Sequence, residues 1–195
     1  MNVITILDDE SFLRQSSKKV NFKKDDYMPY LEILKNYCIE NEVFAMASIQ
    51  LGIPKRMIYI KLTDFSYEKI KDKNYNENKT FINPVILERR GETYYWEACA
   101  SCLNNMGKVL RPYIIKVQYY DEFHKRHIKT LKGFAATVFS HEYDHLNGIL
   151  HMDIAEQILI KNPEERKLFR EMPGNNYQII KKAGIYPYEK VYKKL

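Results

Sequence analysis

The sequence predicts an α+β fold, and three observations point that way. β-branched and aromatic segments cluster between residues 56 and 132, a helical segment begins near Phe134, and strands and helices do not alternate as a wound parallel sheet requires. After a short "VITIL" segment and a polar loop, "DDYMPYLEILKNYCIENE" places Tyr27, Leu31, Leu34 and Cys38 at helical spacing behind acids that suit an amino-terminal turn. A helix over residues 26 to 40 is expected. "RMIYIKL" (56 to 62) reads as a strand, and residues 63 to 80 as a polar loop or insertion. "FINPVILERRG" and "ETYYWEA" read as two strands around a turn at Arg90 and Gly91, and "YIIKVQYYDEFHKRHIKTLKG" as a hairpin turning near Asp121 to His124.

Length and composition are those of one globular unit. The chain has 195 residues, 45% hydrophobic and 29% charged, enough for one sizeable core. Thirty-one Lys and Arg against 25 Asp and Glu give a formal charge of +6, which suits an acidic or nucleic-acid surface but names no partner. Three cysteines do not make a disulfide framework, so each is read as core, ligand or nucleophile. The amino terminus turns acidic after a short apolar run, unlike a secretory or transit peptide. No apolar run approaches the ~20 residues that span a bilayer. A cytoplasmic protein with no membrane association is expected.

The chemistry concentrates in "FSHEYDHLNGILHMD". His141 and His145 are four residues apart, on one face of a helix and one turn from each other, so their imidazoles can converge on one ion. Glu142 projects a third of a turn away, in reach of a metal-bound water but outside the coordination sphere. This is the pattern of a hydrolytic metal site. A catalytic metal takes three protein ligands and leaves one position open, and the upstream candidates for the third are Cys99 and Cys102 in "WEACASCLNN". A thiolate with two imidazoles suits Zn²⁺ or Fe²⁺. The Cys99-x-x-Cys102 spacing also permits a redox pair, although no βαβ pattern surrounds it.

At these residues the chain resembles the peptide deformylases, from about Val3 to Asp153. Three motifs carry the resemblance. The family's His-Glu-x-Asp-His-Leu-x-Gly is matched by His141, Glu142, Asp144, His145, Leu146 and Gly148. Its Glu-Gly-Cys-Leu-Ser is met in part by Glu97, Ala98, Cys99, Ala100 and Ser101, and its Gly-x-Gly-Leu-Ala-Ala-x-Gln runs here from Val43 to Gln50. Alignment through "VLRPYIIKVQYYD" favours Cys99 over Cys102 as the ligand.

The resemblance implies antiparallel sheets around a central helix bearing the histidines. It implies one divalent metal on Cys99, His141 and His145, Fe²⁺ in the cell with Zn²⁺ or Ni²⁺ as substitutes. Glu142 would serve as general base and acid, and Gln50 and the backbone N–H of Ala100 as oxyanion donors. Phe44, Ala45, Glu97, Phe134, Thr137 and Val138 would lie at the substrate pocket, and Arg111 and Asp144 behind the ligands. The implied reaction removes the formyl group from N-formylmethionyl peptides. Val43, Ala45 and Ala98 stand where the family has glycine, and at Val43 a positive φ would strain a β-branched residue.

Two other readings compete: a zinc peptidase using the same helix motif, which the upstream cysteine disfavours, and a re-specialised, catalytically impaired metal-binding protein on this scaffold. His124, His127 and His151 have no matching partners and are read as structural. The catalytic domain is expected over residues 1 to 155. The basic, tyrosine-bearing stretch 156 to 195 is expected as short helices or an appendage on the same domain. Its charge reads first as solvated surface and second as a weak ribosome contact; no aromatic RNA-binding motif or specific DNA-binding pattern appears.

Overall fold

The computed structural model describes residues 2–61, 79–193 and 195. The chain opens with α1 (Ile6–Leu13), started by a capping box in which the Thr5 hydroxyl accepts from the Leu7 N–H and the Thr5 N–H donates to Asp8. α2 (Met28–Glu40) begins with a proline in its first turn and buries Leu31, Leu34 and Cys38, the stripe its spacing predicts. β1 (Ala45–Ala47) and β2 (Met57–Ile60) follow and pair antiparallel. β2 is buried on both faces, and its alternation sorts it: Ile58 and Ile60 join one core cluster, Met57 and Tyr59 the other, which packs on α2. The predicted loop 63 to 80 lies outside the described residues, except that Lys79 and Thr80 already belong to β3 (Lys79–Ala98).

β3 corrects the sequence reading. Residues 79 to 98 form one 20-residue strand rather than two strands around a turn. Arg90 and Gly91 mark a bend: the register with β5 (Ile114–Tyr120) shifts before them, and the register with β8 (Gln178–Ile185) shifts around Glu92. Gly91 has φ 69°, and a Cβ there would sit 2.5 Å from the Lys181 carbonyl. A bulge and a turn call on the same residue types, but here neighbours on both edges keep the strand going. Beyond the bend, β3 pairs with β4 (Asn105–Arg111), which fixes Ala98 opposite Met106. β5 and β6 (Arg126–Lys132) form the expected hairpin.

α3 (Phe134–His145) starts directly after Gly133, whose φ of 61° turns the chain out of β6. Of its twelve residues, only Val138 and Tyr143 are not buried. Its apolar side packs Ala135, Ala136 and Phe139 on Ile58, Phe81, Val117 and Leu131. A helix buried all round needs partners for its polar groups, so those that are paired and the Glu142 oxygen that is not both bear on the chemistry described below.

The stretch after Asp153 contains short helices, as expected, together with two strands that the sequence reading did not include. α4 (His151–Ile154) leads into β7 (Gln157–Ile160), which extends the sheet beyond β4. After α5 (Pro163–Glu171), β8 pairs with β3, and α6 (Tyr188–Val191) follows. Both strands are largely exposed, so they lack the buried alternation by which a strand is read from sequence. All named strand pairs are antiparallel and belong to one eight-stranded sheet.

Sheet, helix and tail meet at Arg111, which is fully buried at the end of β4. Its Nε and Nη2 donate to the two oxygens of Glu97 at 2.7 and 2.9 Å, a planar two-point grip, and its Nη1 donates to Asp144 at 2.5 Å. The Tyr192 hydroxyl, just past α6, donates to Asp144 at 2.9 Å and lies 3.0 Å from Nη1, where its oxygen accepts. Burial drives Glu97 up, but Arg111 and His141 more than offset this and hold it well below the usual carboxylate range. Asp144 has a smaller share of the guanidinium, and burial leaves it above its usual range. Burial and Asp144 keep the Tyr192 phenol protonated, as a donor must be.

Two expectations follow. Arg111→Met strands two buried carboxylates and should cost about 4 kcal/mol in urea unfolding of metal-free protein, whereas Tyr192→Phe should cost about 1 kcal/mol; equal losses would remove the guanidinium from its central place. Gly148 has φ 73°, and a Cβ there would lie 2.0 Å from the Arg14 carbonyl. Gly148→Ala should therefore lower stability by about 3 kcal/mol, and an unchanged urea midpoint would contradict the close approach.

Candidate metal centre

Cys99 follows the last residue of β3 and precedes a single tight turn, Ala100–Cys102. The β3–β4 register brings it under α3, where one ligand atom each from Cys99, His141 and His145 lies within 4.8 Å of the other two. Cys99 Sγ is 3.2 Å from His145 Nε2. His141 Nδ1 is 2.8 Å from Glu97 Oε2, so Glu97 fixes the ring and leaves Nε2 as the ligand atom. Cys99 and Cys102 both border an apolar cluster with Leu13 and Leu150, but among the described residues only Cys99 groups with the two histidines.

The donor set fits a divalent cation of intermediate softness. Burial pushes His141 down, but Cys99 and Glu97 raise it well above its ordinary value; burial alone dominates His145 and lowers it. A cation held by these side chains would compete with protons for the same atoms, which is how metal binding and proton release are linked.

Glu142 is 6% exposed, and its Oε2 has no hydrogen-bond partner among the described residues. Burial above all, with Cys99 and Glu97 adding, pushes its carboxyl up to about 7 against the opposing pull of His141. A carboxyl in that range can take a proton and return it. Gln50 is held by its own amide: Oε1 accepts from the Ala47 N–H at 3.0 Å, and Nε2 donates to Cys99 Sγ and Ser101 Oγ at 3.2 Å each. Its donor end thus faces the ligand cysteine. Ala100 opens the turn next to it.

A cavity of about 290 Å³ runs out from this cluster. Phe44, Ala45, Phe134, Thr137 and Val138 line it together with Gln50, Glu97, Cys99, Ala100, His141 and Glu142, so every sequence-predicted site residue except His145 touches it. Glu97 belongs more to the ion network than to the cavity surface, being 3% exposed and gripped by Arg111. Val43, Ala45 and Ala98 line the cavity without filling it, and none of them has positive φ. The strain considered for Val43 falls on Glu42 instead, at φ 54°.

Three residues enter that the motifs did not flag. Tyr192 closes the Arg111 network, and Tyr95 and Arg170 line the cavity. None carries a local signal, because each is placed by pairing between distant parts of the chain. His151, read as structural, is 1% exposed with its ring 5.6 Å from that of His141, and burial pushes it down to about 4, so it is neutral. Gly107 makes room for it, since a Cβ there would meet His151 Cδ2 at 3.0 Å.

Comparison with known proteins agrees with this geometry. A family model described as polypeptide deformylase matches residues 1–159. The peptide deformylase of Pelagibacter ubique is 30% identical over 160 residues, 81% of this chain and 89% of that one. A Nautilia profundicola peptide deformylase is 30% identical over 161 residues, 82% of this chain and 90% of the other. Among solved structures, Plasmodium falciparum peptide deformylase in complex with an inhibitor superposes with a TM-score of 0.66 at 28% identity, covering 87% of this chain and 94% of that one. A peptide deformylase from Synechococcus elongatus in complex with actinonin gives 0.67 at 28% identity, over 80% and 81% of the two chains. With a family model matched over most of its length, and a cysteine sulfur and two imidazoles converging beside a buried glutamate, the chain belongs to the peptide deformylase family.

Proposed function

We propose that Cys99, His141 and His145 hold one divalent metal and that Glu142 moves the proton in the reaction of the family, hydrolysis of the N-formyl group from nascent N-formylmethionyl peptides with release of formate. The observation that carries this reading is a set of three ligand atoms within 4.8 Å beside a glutamate oxygen that nothing else engages. When bound, the ion supplies a Lewis acid that polarises the formyl carbonyl and acidifies water. The Cys-His-His set suits Fe²⁺ or Zn²⁺ alike, and resemblance to the family favours Fe²⁺ in the cell, with Zn²⁺ or Ni²⁺ able to substitute.

The residues divide the remaining work. The apolar wall of Phe44, Phe134 and Val138 takes the methionine side chain and excludes water from the reacting end. Glu142 accepts the proton of the attacking water and returns it to the leaving amine, so that the formyl C–N bond breaks with the nitrogen departing neutral. Gln50 Nε2 and the Ala100 N–H donate to the carbonyl oxygen as it gains charge. Gln50 Nε2 now donates to Cys99 Sγ and Ser101 Oγ, so one of these bonds is exchanged for the bond to the substrate oxygen. Glu97, gripped by Arg111, keeps the His141 ring in place throughout.

The substrate places the reaction in the cytoplasm, where nascent chains are made. No helix among the described residues is long and apolar enough to cross a membrane. A weak electrostatic association with the ribosome rests on exposed lysines of the carboxy-terminal stretch, Lys167 and Lys182 among them.

Formate release from a formylmethionyl peptide, measured on anaerobically purified protein supplied with Fe²⁺ or Ni²⁺, tests the assignment. Glu142→Ala should bind metal stoichiometrically and lose at least about 10²-fold in turnover. Cys99→Ala should lose metal and turnover together. Full activity in Glu142→Ala would remove that residue from the proton path.

A further inference from the structure

Among the described residues, Arg170 is the one arginine or lysine lining the cavity. It comes from α5, beyond residues 1–159 that match the family model. Phe169 packs edge-on against Trp96 with ring centroids 5.1 Å apart, and the next residue, Arg170, donates from Nε and Nη2 to the Trp96 carbonyl at 3.0 and 2.7 Å. Its guanidinium carbon lies 5.0 Å over the Tyr95 ring. The side chain is therefore held on both sides, and the entropy of ordering a long arginine is already spent. What it lacks is a counter-charge. Among the described residues no carboxylate lies within ion-pair distance of Arg170, and its Nη1 makes no hydrogen bond. Arg166, one turn earlier, is committed to the carbonyls of Lys161 and Leu103 and reinforces the positive field, each arginine being close enough to sense the other.

The cavity's other charged groups are accounted for: Glu97 is taken by Arg111, and Glu142 lies at the reacting end. Arg170 lines the same cavity as Phe44, Phe134, Val138, Cys99 and His141, so it is available to the residues that would follow a methionine bound against the apolar wall. We infer that Arg170 is a specificity-determining residue that selects formylmethionyl peptides carrying a carboxylate side chain, Asp or Glu, in the first residues after methionine. The inference rests on the deformylase reading above and adds a substrate class to it.

The test uses full-length, metal-loaded protein and C-terminally amidated peptides, so that no terminal carboxylate competes: formyl-Met-Ala-Ala, formyl-Met-Glu-Ala, formyl-Met-Ala-Glu and the two corresponding lysine peptides. The wild type should prefer the glutamate to the lysine peptide by about fivefold in kcat/KM at one of the two positions, the scale of a partly exposed ion pair, and the preference should shrink as salt is raised. Because the ratio is taken within each variant, a general loss of activity cancels. Arg170→Glu should invert it, Arg170→Gln should abolish it, and Arg170→Lys should retain most of it. Equal rates for glutamate and lysine peptides in the wild type, or a ratio that Arg170→Glu leaves unmoved, would overturn the inference while the deformylase reading stands. Failure of the wild type to release formate from any of the peptides would overturn both.

Discussion

The grip of Arg111 on Glu97 and Asp144 is the interaction on which the rest of the structure depends. α3 carries a buried carboxylate, Asp144, into the middle of the molecule, and the sheet supplies a single guanidinium that serves both it and Glu97 of β3. A buried ion pair of this kind contributes little net stability against an apolar replacement, since desolvation consumes most of the attraction. Its value is positional. Glu97 is held by two bonds on one side and spends its remaining capacity on His141 Nδ1, so the geometry of β4 is passed through one carboxylate to a ligand ring.

The parts of this arrangement that were legible in the sequence are those with a local spacing. Two histidines one helical turn apart, with a glutamate and an aspartate between them, announce a helix face and its chemistry together. The hairpin of β5 and β6 announces itself by alternation around "DEFH". The acid two residues before Cys99 separates it from Cys102, and although both cysteines border the apolar cluster with Leu13, among the described residues only Cys99 groups with the histidines. Gly91 was misread because glycine permits a bend without saying whether the chain turns back or goes on; that depends on β5 and β8, which lie far along the sequence. Tyr192 and Arg170 were invisible for a related reason. A tyrosine that reaches an arginine 81 residues upstream leaves no periodic trace.

The substitutions in the first and second motifs take on a different meaning in the structure. Val43, Ala45 and Ala98 have ordinary backbone angles, so the loss of glycine there costs side-chain room and no strain. The extra methyl groups belong to an already apolar wall, and they narrow the cavity without introducing a polar group that would need a partner. On the opposite rim the carboxy-terminal stretch adds an aromatic and a cation, Tyr177 packed on Phe134 and Arg170 over Tyr95. The cavity is thus trimmed on one side by the catalytic core and finished on the other by residues that follow it.

β3 also bears on how the molecule comes together during synthesis. It is paired at one end by β2, in the middle by β5, and past its bend by β4 on one edge and β8 on the other. Those partners span residues 57 to 185, so the strand that ends in Glu97 and precedes Cys99 is completed by some of the most distant pairings in the chain. Such contacts form late, because long loops must close before they repay their entropy. As the polypeptide leaves the ribosome, the histidine helix can form early, but the pocket wall and the hydroxyl that closes the Arg111 network exist only once residues through Tyr192 have emerged. The site of a deformylase is thus completed by residues that are made after the histidine helix, Arg170 and Tyr192 among them.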